Sequence, residues 1–252
     1  GIMIQEVVGR RVGRYYMPAW AGVAFSNNEF RWSPRIQRKD GLVRLVPGLG
    51  TRAVDRVADD YPVLIAPGQP GLRANVTPDE VVRYSPRRID VINLETNTFE
   101  TVEVKDLLRE CGDEFPKLAQ LVSICDRDRI RRPVGWGIDF EKDDVVFTFE
   151  GLVTDSPFVT QMRSLLTLLT EKLGNPVDIE FASDGRDFYL LQCRPQSQTS
   201  EDVAMEIPSN LPEASVLFTA NKYVSNGRVA DVTHIVYVDP DRYGELAEYA
   251  EL

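Results

Sequence analysis

At 252 residues, with 43% hydrophobic and 27% charged side chains, the chain is long enough to bury a sizeable core in one or two domains and lacks the composition of a disordered or fibrous protein. A balance of 39 acidic against 29 basic side chains gives a net charge of −10, which argues against a nucleic-acid binder, because such a protein presents a basic face. No apolar run approaches the roughly 20 residues that span a bilayer, no secretory segment opens the chain, and Cys111, Cys125 and Cys193 form neither a disulfide framework nor a zinc motif. A cytoplasmic protein with reduced core thiols and no membrane partner is therefore expected.

In chain order, residues 2–8, 21–26 and 42–46 read as short strands, joined by an irregular connection rich in aromatics (Tyr15, Tyr16, Trp20, Phe30, Trp32). Basic side chains gather at Arg31, Arg35, Arg38, Lys39 and Arg44, and a second run, Arg127, Arg129, Arg131 and Arg132, alternates with Asp126 and Asp128. Arginine can clamp phosphate bidentately, although mixed-charge runs are also ordinary solvated surface. Residues 89–94 and 98–104 alternate around Glu95-Thr96-Asn97, which predicts a hairpin on the edge of the same sheet. Leu107, Leu108, Phe115, Leu118 and Leu121 recur near helical spacing, interrupted by Gly112 and Pro116, so two short helices are expected.

Residues 145–149 read as a buried strand. The clearest helix follows Asp155-Ser156-Pro157: Ser156 can cap it, Pro157 suits its first turn, and Met162, Leu165, Leu166, Leu169 and Leu173 form one apolar stripe that stops at Gly174-Asn175-Pro176. Such a helix supports the segment that follows it, and strand-helix-strand-strand order points to an α+β domain with a mainly antiparallel sheet and flanking helices.

That following segment, residues 176–195, carries the candidate chemistry. Residues 177–182 and 188–193 suit strands, with turn chemistry between them. Alternation puts Asp178 and Glu180 on one face of the first strand and Gln192 and Arg194 on one face of the second. In an antiparallel pair the numbers of opposed residues have a constant sum, so an odd loop makes the two faces coincide and an even loop separates them. A three-residue loop, Ser183-Asp184-Gly185 with the glycine left-handed, is the expected connection. Carboxylate and amide oxygens are hard ligands suited to magnesium on a polyphosphate, and a guanidinium stabilises a phosphoryl group in flight. The same alternation is also the ordinary signature of a solvated strand face.

After Pro195 comes a polar linker, then expected strands at 216–219 and 232–238 and an amphipathic helix from about Asp241. His234 is the only histidine, and its setting in an apolar strand reads as packing rather than phosphate carriage.

Pro-Val-Asp-Ile-Glu-Phe, followed after a turn by Tyr-Leu-Leu-Gln-Cys-Arg-Pro, resembles the closing motif of the ATP-binding domain of phosphoenolpyruvate synthase and pyruvate phosphate dikinase, an ATP-grasp fold. Ile4-Gln5-Glu6-Val7-Val8 with Ala21-Gly22-Val23-Ala24-Phe25-Ser26, then Pro47-Gly48-Leu49-Gly50-Thr51-Arg52-Ala53-Val54, then Val76-Thr77-Pro78-Asp79-Glu80, resemble further elements of that family in the same order. Thr51 stands where the family usually has glutamate, about twenty residues are inserted before Thr77, and nothing resembles the family's N-terminal portion, so the chain is read as the second half of the ATP-grasp domain of a longer protein.

The resemblance implies an ATP-grasp-like β-rich subdomain at 2–110, a C-terminal subdomain with the catalytic hairpin at 111–198, and a linker with a partial following segment at 199–252. It implies ATP as substrate with Mg2+ as cofactor, Glu180 and Gln192 as metal or phosphate ligands, Asp178 as a supporting acid at the nucleotide, and Arg194 as the catalytic stabiliser of the transferring phosphoryl group. The implied partners are the missing N-terminal half and a phosphohistidine domain; the implied activity is a dikinase-type phosphotransfer, with a degenerate module that binds nucleotide or docks a domain as the alternative.

Overall fold

The computed structural model describes residues 4–54, 60–126, 129–133, 137–196, 211–216, 219, 224–225 and 232–238. The chain divides into two compact units, Gly1–Ser197 with Leu211–Ser225, and Gln198–Asn210 with Asn226–Leu252. In the first unit the strands are β1 (Arg10–Val12), β2 (Tyr15–Met17), β3 (Trp20–Phe25), β4 (Phe30–Arg31), β5 (Leu42–Val46), β6 (Val63–Ile65), β7 (Arg88–Asn93), β8 (Thr98–Glu103), β9 (Val122–Asp126), β10 (Arg129–Arg131), β11 (Asp144–Phe147), β12 (Val177–Ser183), β13 (Phe188–Pro195) and β14 (Val224–Ser225). The helices are α1 (Thr51–Val54), α2 (Pro78–Arg83), α3 (Val104–Cys111), α4 (Leu118–Leu121), α5 (Glu150–Thr154) and α6 (Phe158–Leu173). The class is α+β with antiparallel sheets, as expected.

The central sheet has five antiparallel strands in the order β13-β12-β3-β5-β6. Its middle strand, β3, carries a glycine where its neighbours come very close. A Cβ on Gly22 would lie 2.1 Å from the Arg44 carbonyl oxygen and 2.9 Å from the Phe181 ring. One face of this sheet, formed by Ile179, Phe181, Ala24, Val43 and Leu45, packs into the main core with Phe158, Met162 and Leu166 of α6. Each of these side chains other than that of Ala24 contributes roughly 1.5–3 kcal/mol by leaving water. The other face carries a smaller cluster, Val23 and Val46 with Ala53 of α1 and Phe25 packed against it.

Helix α6 ends where expected but starts later: Pro157, expected in the first turn, is the N-cap itself, and Ser156 lies one residue outside it. Ser156 accepts a hydrogen bond from the Phe158 N–H at 3.2 Å, and Gly174 closes the helix in the left-handed conformation at φ 70°. Leu165 and Leu169 pack against the core, but Leu173 is exposed, so the stripe ends a turn early. Among the described residues no helix is long and apolar enough to cross a membrane.

Several expectations are corrected. Of the strand expected at 2–8, residues 2–3 lie outside the described residues and residues 4–8 form no strand: Ile4 is almost fully exposed, and no neighbouring strand offers a ladder to this segment among the described residues. The first hairpin is β1–β2 instead. Hairpin β7–β8 forms about the left-handed Asn97 (φ 55°), but it belongs to a separate four-stranded sheet, β1-β2-β7-β8, because β2 pairs with β7. The strand near residue 145 joins β9 and β10, neither foreseen, in a third sheet. Cys111 is buried and its thiol pKa is pushed up to about 11 by desolvation, whereas Cys125 and Cys193 are only half-buried, so a core setting holds for Cys111 alone. Val216 and Thr219 lie in no strand, residues 232–238 are exposed and form no strand, and residues 217–218 and the helix expected from Asp241 lie outside the described residues.

The two larger sheets are tied by a buried charge cluster. Arg52 donates from Nη1 to Asp60 Oδ2 and from Nε to Asp90 Oδ1, both at 3.0 Å, with all three side chains at most 9% exposed. The Thr51 and Thr101 hydroxyls donate to Asp90 at 2.5 and 2.7 Å, and Asp60 also accepts the backbone N–H groups of Tyr61, Arg87 and Arg88. Between the sheets runs the Gly48-Leu49-Gly50 turn, in which Gly48 (φ 69°) bridges Asp90 so closely that a Cβ would meet its carbonyl oxygen at 2.6 Å. Arg52→Met leaves two buried carboxylates without a counter-charge, so urea unfolding should show a loss of about 3–5 kcal/mol. A loss under about 1 kcal/mol would mean that water reaches this cluster and screens it.

Candidate functional site

The candidate site is the outer face of hairpin β12–β13. Ser183 opposes Phe188, so the loop is residues 184–187, one longer than expected and even. Gly185 does take a positive φ of 92°, and Asp184 accepts the N–H groups of Arg186 and Asp187, both at 2.8 Å. By parity alone this loop would set Gln192 opposite Ile179, facing the core. It does not, because Leu191 has no partner: the register moves from Phe181↔Leu190 to Glu180↔Gln192 through a β-bulge. Beyond the bulge Cys193 opposes the core residue Ile179, and Arg194 opposes Asp178.

The four residues therefore share one face. Arg194 Nε donates to Asp178 Oδ1 at 2.7 Å, and Gln192 Nε2 to Glu180 Oε1 at 3.4 Å. The Asp178 side chain is 12% exposed and the Arg194 side chain 57% exposed, so the carboxylate is the anchored partner and the guanidinium reaches outward. The hydrogen bond to Asp178, reinforced by the negative charge of Asp178 and Glu180, raises the Arg194 pKa above its ordinary value, which keeps the side chain cationic at any working pH.

Arg44, from the middle of β5, completes the setting. It sits with its guanidinium carbon 5.4 Å from the Phe25 ring centroid and lines, with Asp178, Glu180 and Arg194, a concavity of about 90 Å³. That volume suits a phosphate group or a hydrated ion rather than a whole nucleotide, since small-molecule sites usually run to several hundred Å³. Arg44 was legible only as part of a basic stretch; its isolation within Leu-Val-Arg-Leu-Val is the better signal, because a lone charge in an apolar strand must face away from the core.

Other candidates are placed elsewhere. The Thr51 hydroxyl is committed to Asp90. His234 lies exposed in the second unit, with Nδ1 2.9 Å from Thr233 Oγ1. No group of three or more His, Cys, Asp or Glu side chains converges as a metal cage among the described residues. The donor set at the hairpin, one carboxylate and one amide, still fits magnesium, which commonly takes one or two protein oxygens and the rest from phosphates and water.

The family model described as pyruvate phosphate dikinase, AMP/ATP-binding domain, matches residues 1–215, and the chain belongs to this family. Its fold is accordingly ATP-grasp-like. No curated protein matches the chain.

Double-mutant cycles on urea stability should give Asp178 and Arg194 a coupling of about 0.5–1 kcal/mol and the diagonal pair Asp178 and Gln192 a value near zero. Zero coupling for the first pair would mean that Arg194 does not sit over Asp178.

Proposed function

We propose that this chain is the ATP-binding portion of a phosphoenolpyruvate synthase-like or pyruvate phosphate dikinase-like phosphotransferase, in which phosphate passes from ATP to a histidine on a mobile domain and then to pyruvate or another acceptor. The observation that carries this reading is the paired opposition of Asp178 with Arg194 and of Glu180 with Gln192 on one sheet face, in a chain of this family.

Each residue then has a distinct task. Glu180 and the Gln192 amide oxygen would hold Mg2+, which supplies charge neutralisation between phosphate oxygens. Asp178 acts as the positioning group, since its hydrogen bond orients the guanidinium before the nucleotide arrives. Arg194 offers a preorganised cation to the phosphoryl oxygens as charge spreads over them. Arg44 adds a second cation at the same concavity. The remaining domains of the parent protein, a further portion of the ATP-grasp domain and a phosphohistidine domain, are the proposed partners, and the cytoplasm the proposed location. A second reading, a degenerate module that binds nucleotide or docks a domain without catalysis, is favoured by one observation: Thr51, where a carboxylate is usual, spends its hydroxyl on Asp90.

In the intact parent protein, Arg194→Ala should lower the rate of histidine phosphorylation by about 100-fold or more while changing ATP affinity far less, as expected for a contact that strengthens in the transition state. Glu180→Ala should act chiefly by raising the magnesium requirement. Single-turnover phosphorylation across a magnesium series reads both effects, and wild-type rates in either variant would hand the case to the degenerate module.

The chain by itself should bind MgATP weakly and transfer no phosphate, because its concavity holds little more than one phosphate group. Calorimetric titration giving micromolar affinity would contradict this.

A further inference from the structure

A cavity of about 590 Å³ lies away from the hairpin, among β6, α2, β9, β10 and α5. In a chain of net charge −10, it is lined by four arginines, Arg73, Arg129, Arg131 and Arg132, against the single carboxylate of Glu150. Some of that charge is answered locally: Arg132 pairs with Asp155, and Arg131 lies 3.9 Å from Asp143. Arg73 is answered only in part. Its Nη2 pairs with Glu150, while its Nη1 is buried with no hydrogen-bond partner among the described residues. A buried N–H left unmade costs about 1–3 kcal/mol, so such a group calls for an acceptor from outside the chain.

The floor adds a second feature of the same sense. Ser123, 2% exposed, lies with its hydroxyl 2.7 Å from that of Thr148, and both residues line the cavity. Within that pair one hydroxyl donates to the other, and the accepting hydroxyl keeps a hydrogen to offer. Val63, Leu64, Val81 and Ile130 give the wall an apolar part, and Asn75, Tyr84 and Ser85 add polar groups to the rest. A cavity of this size with convergent donors and apolar walls has the make-up of a small-molecule site.

We infer that this cavity binds a small organic anion, with a phosphate or carboxylate head on Arg73 and the β10 arginines and an apolar body against β6 and α2. Its cations are guanidinium forks, which match planar or tetrahedral oxyanions bidentately. The inference stands apart from the nucleotide face, since it uses none of the hairpin residues.

Calorimetric titration of the whole chain with phenyl phosphate, benzoate and inorganic phosphate tests it. Phenyl phosphate or benzoate should bind, the tighter of the two identifying the head group, and should exceed inorganic phosphate by about tenfold or more because the ring is buried. Arg73→Gln should weaken that binding by about tenfold or more. Because Arg73→Gln also removes the partner of Glu150, the double variant Arg129→Gln with Arg131→Gln, both exposed positions, supplies an independent loss without touching the core. Arg194→Ala should leave the affinity unchanged. No heat from any probe at millimolar concentration, binding indifferent to both sets of arginine substitutions, or binding abolished by Arg194→Ala would overturn the inference.

Discussion

Leu191 is the residue on which the geometry of the molecule turns. A four-residue loop at 184–187 imposes a parity that would point Gln192 and Arg194 into the core and Cys193 outward, and the unpaired leucine reverses that assignment for the rest of the strand. Burying an amide and a guanidinium against Ile179 and Val177, both fully buried, would leave polar groups without partners at several kcal/mol each. With the bulge, a half-buried thiol takes the core position and both polar groups meet acids. Core packing and site assembly thus favour the same register, so the bulge is stabilised from both faces of the sheet.

The hairpin is held in turn by what lies beneath and beside it. Beneath, α6 packs Phe158 6.0 Å from Phe181 and fills the core face of β12. Beside, β3 can approach both neighbours only because Gly22 has no side chain. Beyond β5, the Arg52, Asp60 and Asp90 cluster fixes the exit turn against the second sheet, using buried charges whose pairing is worth most when complete. The outer face of the central sheet is consequently a rigid platform, which suits electrostatic work that depends on donors being in place beforehand.

Charge is distributed unevenly for a chain so acidic overall. Arg44 and Arg194 gather at the hairpin face, and Arg73, Arg129, Arg131 and Arg132 gather at the larger cavity. At the hairpin the carboxylates are close enough to orient the guanidinium. At the cavity, the pairing is incomplete and one buried N–H is left over. The hairpin concavity balances two cations with two carboxylates, whereas the other cavity keeps an excess of guanidinium groups, and long-range repulsion of an anion by the remaining acids is screened within about 10 Å at ordinary ionic strength.

Local pattern was enough to identify what local forces decide. The stripe of α6 with its Gly174 end, the β7–β8 hairpin about Asn97, the apolar strands β3 and β5, and the alternation that pairs Asp178 with Glu180 and Gln192 with Arg194 were all legible, because periodicity and turn chemistry act over a few residues. The partition into three larger sheets was not, since β7 chooses β2 over the central sheet through contacts some eighty residues apart in sequence. Nor was the failure of residues 4–8 to form a strand, for a strand exists only where a neighbour accepts its hydrogen bonds. The bulge at Leu191 is the sharpest case: whether a hairpin absorbs an extra residue depends on what its two faces pack against, and that energy arises only when helix, sheet and acids are brought together in three dimensions.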